Sequence, residues 1–224
     1  MPAARLAHIH AGQPLRADGM LATLWDYLPR ELSPPSYAAF GRLLREFHQR
    51  SAGMRLALPR WDAVSSARSR LEALDGRYPA QDLALLRHWC QRIQAELPRL
   101  EFSLPTGVIH GQAEIGNVLV REGQPVFLDF ERVAVGPREW DLIDTAVSTL
   151  RFALPRGDYD DFAAGYGFDV LAWNGFPTLR RVWELRATTW LMQNKGSSPE
   201  VDAEIEVRLK TWRDDDPEAR WLPF

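Results

Sequence analysis

The apolar residues of this chain repeat with a helical period on both sides of a short central segment that has a different pattern. On either side, leucine, phenylalanine and tryptophan return every three or four residues, which predicts amphipathic helices. These helices are expected at residues 37–48, 63–74, 81–97, 139–152, 159–166, 179–192 and 201–212. A helix with one apolar face has to bury that face, so the helices must share a core. The sequence therefore predicts a mostly α fold of the α+β class.

The central segment predicts short strands joined by polar turns. Its apolar, β-branched runs are separated by Gly and Pro and cover residues 108–109, 117–120 and 126–130. His110 and Asn117 lie in the loop between the first two runs, and Asp129 ends the third. Because a short turn joins the second and third runs, we expect Asn117 and Asp129 to lie close together. An amide oxygen and a carboxylate suit Mg²⁺ with bridging phosphates, which indicates half of a phosphoryl-transfer site.

The first thirty residues have an extended pattern. Residues 5–10 alternate between apolar and polar, turn signals follow as far as Gly19, and a second apolar run covers residues 21–28. Two extended runs joined by turns predict a β-hairpin. Ser33, Pro34 and Pro35 then interrupt the chain before the first helix.

Composition and charge limit the classes of partner. The 224 residues include 27 basic and 30 acidic side chains, so the net charge of −3 favours neither nucleic acid nor an anionic membrane. No apolar run is long enough to span a bilayer, and the first ten residues lack the layout of a signal peptide. Cys90 is the single cysteine, so no intrachain disulfide can form. These features predict a cytoplasmic protein.

The polar motifs that follow residue 109 come in a fixed order. They are His110-Gly111, Asn117, Asp129-Phe130-Glu131, Gly136-Pro137 and Asp141-Leu142. This order resembles the catalytic core of the aminoglycoside phosphotransferase and choline kinase-like family, which has a protein-kinase-like fold. The family pattern is His-Gly-Asp, four residues, Asn, a strand ending in Asp with Glu close behind, then Gly-Pro and Asp-Leu. Several matched elements in order are far more specific than a His-Gly pair.

The resemblance implies a division of the chain into two parts. Residues 1–30 are expected to be a β-hairpin remnant of the small lobe with the hinge. Residues 31–224 are expected to be the helical large lobe, which contains the catalytic-loop-like segment 108–142. The hinge residues expected to meet the adenine of ATP are Trp25, Asp26 and Tyr27.

The resemblance also implies an activity, which is transfer of the γ-phosphate of ATP to a hydroxyl of a small molecule. Asn117 and Asp129 are expected to hold Mg²⁺, His110 to pack against the catalytic loop, and Asp141 to brace that loop from behind. A cationic acceptor is one option, because acidic residues occur near residue 158 and at 214–216. Such groups are also typical of a solvated helix start and tail.

Three features depart from the family pattern. Gln112 occupies the position of the catalytic Asp, and an amide has no useful basicity near neutral pH. Loss of such a carboxylate typically lowers the rate by about 10²–10⁴-fold. No lysine precedes Lys195, and no Gly-rich loop precedes His110. Glu114 is the carboxylate nearest to Gln112 in the sequence. Because it lies two residues after Gln112, we expect its side chain to point away from the position of the missing carboxylate.

These departures leave three hypotheses for the function. The chain is a weakly active small-molecule kinase, a catalytically dead binding protein, or a fragment that needs a missing small lobe. It begins about where the fourth strand of the family's small lobe would begin, which predicts an exposed apolar edge. A homodimer through that edge is a further expectation.

Overall fold

The computed structural model describes residues 6–8, 12–27, 35–54 and 57–224. Seven α-helices lie within these residues: α1 Tyr37–Arg50, α2 Ser65–Ala73, α3 Ala80–Glu96, α4 Trp140–Arg151, α5 Arg156–Tyr166, α6 Phe176–Met192 and α7 Pro199–Asp214. The strands are β1 Leu15–Ala17, β2 Met20–Ala22, β3 Gly107–Ile109, β4 Val118–Arg121, β5 Gln124–Phe127 and β6 Ala134–Gly136. The predicted mostly α fold of the α+β class is confirmed, with a helix at every position where the apolar period predicts one.

The strands form three antiparallel pairs. β1 pairs with β2 around Asp18 and Gly19, β4 pairs with β5, and β3 pairs with β6. A hairpin forms near the N-terminus as predicted, but its strands are placed differently: β1 lies in the stretch predicted to be turns, and β2 lies at the start of the second run. In the described part of the first run, Leu6 forms a single bridge with Trp25. The end of the second apolar run and the Ser33–Pro34 break lie outside the described residues. The division of the chain near residue 30 stays a prediction.

Two details of the central segment differ from the prediction. The strand expected over residues 126–130 ends at Phe127, because Asp129 adopts a left-handed backbone (φ 55°) and Phe130–Arg132 form a 3₁₀ turn. The strand β6 was not predicted, because three residues of mixed size carry no periodic signal. β6 pairs with β3, the strand that precedes His110, and places Ala134 opposite Ile109.

Helix α1 links the helical core to the central strands. Its buried face contains Phe40, Leu43, Leu44 and Phe47. The Phe40 ring lies 5.0 Å from that of Phe162 on α5 and 6.1 Å from that of Phe127 on β5. These aromatic contacts hold β5, and therefore the segment that follows it, in a fixed position against α1 and α5.

The residues after α7 form no helix or strand, as the sequence predicts, but hydrogen bonds attach them to the core. Arg151 is fully buried, with its Nε 2.7 Å from Glu184 Oε1. Its remaining N–H groups donate to the carbonyl oxygens of Asp216, Pro217 and Ala219. The buried guanidinium thus holds this segment through its backbone. None of the described helices is both long and apolar enough to cross a membrane.

The α1–α5 contact yields a prediction about stability. A Cβ atom on Gly165 would lie 2.4 Å from the carbonyl oxygen of Ala38, so the two helix backbones are in direct contact. We expect Gly165→Ala to lower the free energy of unfolding by about 1–3 kcal/mol, because the helices must separate. Gly157→Ala, on the same helix but facing open space, is the control and should not destabilise. Equal urea midpoints for the two variants would contradict this packing.

Candidate active site

The loop that follows β3 is held by the carboxylate of Asp141, in the first turn of α4. The backbone N–H of His110 donates to Asp141 Oδ2 at 2.6 Å, and that of Gly111 donates to Oδ1 at 2.8 Å. His48 Nε2 lies 2.9 Å from the same Oδ2. Both side chains are buried, so the ionised carboxylate gains three donors in place of water. This is the bracing contact that the resemblance implies for Asp141.

His48 is oriented in turn by Tyr166. The Tyr166 hydroxyl lies 2.8 Å from His48 Nδ1. Burial is the largest of the effects that raise the pKa of Tyr166, so its hydroxyl stays protonated and can donate to Nδ1. With that tautomer, His48 Nε2 carries the proton that it donates to Asp141. A chain of three buried side chains from α1, α5 and α4 therefore fixes the loop.

Gly111 allows the loop to pass close to the backbone of Arg132. Its φ is +82°, and a Cβ atom there would lie 2.1 Å from the carbonyl oxygen of Arg132. Trp140 Nε1 donates to its carbonyl at 3.1 Å. Only glycine fits this position, because any side chain would meet backbone and would also require a strained conformation.

His110 ties the loop to the chain that follows β5. Its ring is fully buried, and Nε2 lies 2.9 Å from the carbonyl oxygen of Leu128. The ring centroid is 4.7 Å from that of Phe127 and 5.1 Å from that of Phe130. The packing and hydrogen bonding expected of His110 are present, and a ring this enclosed serves as a positioning residue.

Asn117 and Asp129 lie on adjacent backbones, as predicted. The N–H of Leu128 donates to the carbonyl of Asn117 at 2.9 Å, next to Asp129. The Asn117 amide nitrogen donates to the carbonyl of Gln112 at 3.0 Å, which leaves its amide oxygen as the group that can bind a ligand. The exposed Asp129 carboxylate accepts one long bond, 3.4 Å, from the N–H of Glu131.

These two side chains fit a magnesium ion. Mg²⁺ usually takes one or two protein oxygens and completes its shell with water and phosphate. Among the described residues, no group of three or more His, Cys, Asp or Glu side chains could hold a metal ion. An ion at Asn117 and Asp129 would therefore need water and phosphate as its other ligands. The left-handed backbone of Asp129 is a conformation that Asp tolerates and that is common at functional sites.

Gln112 and Glu114 contact each other, which corrects the expectation that Glu114 points elsewhere. Gln112 Nε2 donates to Glu114 Oε1 at 3.3 Å. The backbone N–H of Glu114 donates to the carbonyl of Gln112 at 3.1 Å, so the chain turns between these two residues and their side chains can meet. A carboxylate is therefore available beside the position where the family pattern has its Asp.

A cavity of about 560 Å³ opens on this side of the loop. The loop residues 111–116 form one wall, and α4 and α6 form others. Aromatic side chains contribute much of the lining: Trp140, Phe152, Trp183, Trp190 and Phe224. The described residues that line the cavity do not include Asn117 or Asp129. The loop therefore has the cavity on one side, and the side chains of Asn117 and Asp129 lie at its end.

Two carboxylates line the cavity, Glu114 and Asp144. Burial and then the charge of Glu114 raise the pKa of Asp144 to about 7, and a hydrogen bond from Trp183 Nε1 at 3.1 Å opposes this shift. A bound cation would relieve the repulsion between the two groups. Sequence reasoning missed Asp144, although its position three residues after Asp141 places it on the same helical face.

Other residues considered from the sequence lie away from the cavity. The acidic groups near residue 158 and at 214–216 do not line it, and Asp214 and Asp215 pair with Lys210 and Arg181. Trp25 Nε1 donates to Thr23 Oγ1, and Tyr27 is exposed. No hydrogen bond between described residues joins Trp25, Asp26 or Tyr27 to the loop, so their role in binding adenine stays a prediction.

Comparison with solved structures confirms a kinase-like fold. The amicoumacin kinase hAmiN, in complex with AMP-PNP, Ca²⁺ and Ami, aligns with a TM-score of 0.77 at 15% identity, over 98% of this chain and 74% of its own. A microcompartment-associated aminopropanol kinase gives 0.69 at 16% identity, over 97% and 77%. A spectinomycin phosphotransferase with ADP and spectinomycin gives 0.62 at 14%, over 97% and 75%. Among curated proteins, none matches significantly.

The fold thus places this chain in the kinase-like class. The sequence model of the phosphotransferase enzyme family, APH, matches residues 3–185. The chain belongs to this family.

The bracing of the loop can be tested by stability. Asp141→Asn would place an amide NH₂ group against donors that now meet a carboxylate. We expect the free energy of unfolding to fall by about 3–5 kcal/mol, because buried donors lose their partner. Asp144→Asn, on the same helix, should cost less than about 1 kcal/mol, because a carboxyl with a pKa near 7 is already partly neutral. Similar losses for both variants in urea titrations would argue against a special role of Asp141.

Proposed function

We propose that this chain transfers the γ-phosphoryl group of ATP to a hydroxyl of a small molecule bound in the cavity beside residues 111–116. One observation carries the proposal: the loop braced by Asp141 brings Gln112 and Glu114 to the cavity, while Asn117 and Asp129 stand at the loop's end. Phosphoryl transfer depends mainly on positioning and charge stabilisation, and a rigid loop between two polar regions supplies the positioning.

Asn117 and Asp129 are the residues that would hold Mg²⁺. When bound, the ion would neutralise charge on the phosphates of ATP. His110 and Asp141 keep the loop in place and touch neither substrate. Trp25, Asp26 and Tyr27 would meet the adenine.

Glu114 is the carboxylate proposed to replace the missing catalytic Asp. The acceptor hydroxyl would hydrogen bond to it and lose its proton to it while the hydroxyl oxygen forms a bond to the γ-phosphorus and the bond to the ADP oxygen breaks. Gln112 would position the Glu114 carboxylate through its amide N–H. Glu114 and Asp144 also favour an acceptor with a cationic group, such as an amino alcohol.

The proposal includes a cytoplasmic location, because Cys90 is buried and unpaired and fits a reducing compartment. The homodimer expected from the hairpin also stays a prediction. Such a contact would cover apolar side chains that are exposed on the hairpin: Met20, Leu21 and Leu24.

Calorimetric titration with ATP tests the function first. We expect binding to require Mg²⁺ and to weaken at least tenfold in Asp129→Ala, because the ion loses its one charged protein ligand. Asp161→Ala, which removes an exposed carboxylate on α5 outside the loop and the cavity, is the matched control for the metal effect. No binding at millimolar ATP would contradict the kinase proposal.

The role of Glu114 is tested by transfer from ATP to a panel of hydroxylated amines. We expect Glu114→Gln to lower the rate by about 10²-fold with little change in ATP affinity, because a base or orienting group is lost. Glu72→Gln, on the exposed face of α2, should leave the rate unchanged. If Glu114→Gln transfers at the wild-type rate while Gln112→Asp accelerates transfer, Glu114 is not the carboxylate used.

The second candidate function is a binding protein that holds a nucleotide without transferring phosphate. Gln112 at the catalytic position favours it. Mg²⁺-dependent ATP binding without transfer to any hydroxyl, and with transfer gained in Gln112→Asp, would support this candidate over the first.

A further inference from the structure

Three arginines from different elements converge on the cavity next to the catalytic loop. Arg70 comes from α2, Arg132 from the 3₁₀ turn after Asp129, and Arg186 from α6. Arg70 Nη1 donates to the backbone carbonyl of Arg186 at 3.0 Å, which brings the first and third together. Arg132 and Arg186 also line a smaller hollow of about 190 Å³ that adjoins Gly111. We call these three side chains the arginine cluster.

Among the residues that the structure describes, the arginine cluster has no carboxylate partner, unlike the buried arginines Arg151 and Arg208. Within the described residues, none of its three guanidinium groups forms an ion pair with Asp or Glu. The Arg186 guanidinium lies over the Trp140 ring, 4.9 Å from its centroid. Arg208, which lines the same cavity, is different: its Nε donates to Glu204 at 2.8 Å and its other nitrogens donate to backbone carbonyls.

The positive charges of the arginine cluster lie close enough to lower the pKa values of their neighbours. Burial, and after it the charges of Arg132 and Arg70, lowers the pKa of Arg186 to about 10, with Asp62 acting the other way. Burial and then Arg132 lower the pKa of Arg70. With a pKa of about 10, Arg186 stays protonated at neutral pH, so the cavity wall keeps its positive charge.

The nearby acids leave this charge uncompensated. Asp62 Oδ1 already accepts the N–H groups of Val64 and Ser65 at the start of α2. Glu131 lines the smaller hollow and Glu114 the larger cavity, but neither forms an ion pair with the arginine cluster in the described part of the chain. A partly buried cluster of like charges gains most from an anion that accepts several of its N–H groups at once.

We propose that Arg70, Arg132 and Arg186 form an oxyanion subsite of the acceptor cavity, which binds a carboxylate or phosphate group of the molecule that is phosphorylated. This inference rests on the proposed function. Because Glu114 and Asp144 line the same cavity, the preferred acceptor carries an anionic group and a cationic group besides its hydroxyl. Asn117 and Asp129 do not line this cavity, so the subsite is separate from the region that holds the phosphates of ATP.

Calorimetric titration with inorganic phosphate, without nucleotide, tests the subsite. We expect millimolar binding to the wild type and about tenfold weaker binding to Arg132→Gln, which loses one charge-assisted donor set. Arg132 is exposed, so the variant should keep the wild-type melting temperature. Arg92→Gln is the matched control, since it removes the same charge from the exposed face of α3 and should bind phosphate as the wild type does.

Three further results of these titrations decide whether the proposal stands. Phosphate affinity that is unchanged by saturating Mg²⁺–ATP supports a subsite on the acceptor side, whereas displacement by ATP assigns the anion to the nucleotide and overturns the proposal. Equal phosphate affinity of the wild type and Arg132→Gln, or no binding to the wild type, also overturns it. If phosphate binds through Arg132 while ATP does not bind at all, the subsite stands and the proposed kinase function fails.

Discussion

The buried carboxylate of Asp141 is the interaction on which the rest of the site depends. It accepts two consecutive backbone N–H groups of the loop and one ring N–H of His48, so its position on α4 determines where the loop turns. The partners of this carboxylate come from the loop after β3 and from α1, which are separate from α4 in sequence. The site is therefore rigid because the helical core is rigid, and the loop needs no regular structure of its own.

Gln112 stands where the family pattern has an Asp, but the site still has a negative charge close by. The Gln112 amide donates to Glu114, whose carboxylate lines the cavity two residues further along the loop. The arginine cluster lines the same cavity and supplies positive charge. The cavity therefore has groups of both signs beside an aromatic lining, an arrangement that favours recognition of a substrate by orientation as well as by size.

Much of this fold could be predicted from the sequence, because helices with one apolar face are recognised by their period and the loop motifs by their spacing. The proximity of Asn117 and Asp129 followed from a short turn. Strand β6 was missed because three residues carry no period. The contact of Glu114 with Gln112 and the convergence of the arginine cluster could not be predicted, since both depend on a bend of the backbone or on packing between distant helices.

The segment after α7 reaches the cavity with Pro223 and Phe224, and its path is held by Arg151 and Arg208 through backbone carbonyls. Trp221 adds a side-chain anchor, because its buried ring lies under the guanidinium groups of both arginines and its Nε1 donates to Thr211. The route of the chain is thus fixed before it reaches Pro223 and Phe224. A change at either of these two positions would therefore reshape the cavity while the buried contacts that guide the chain stay in place.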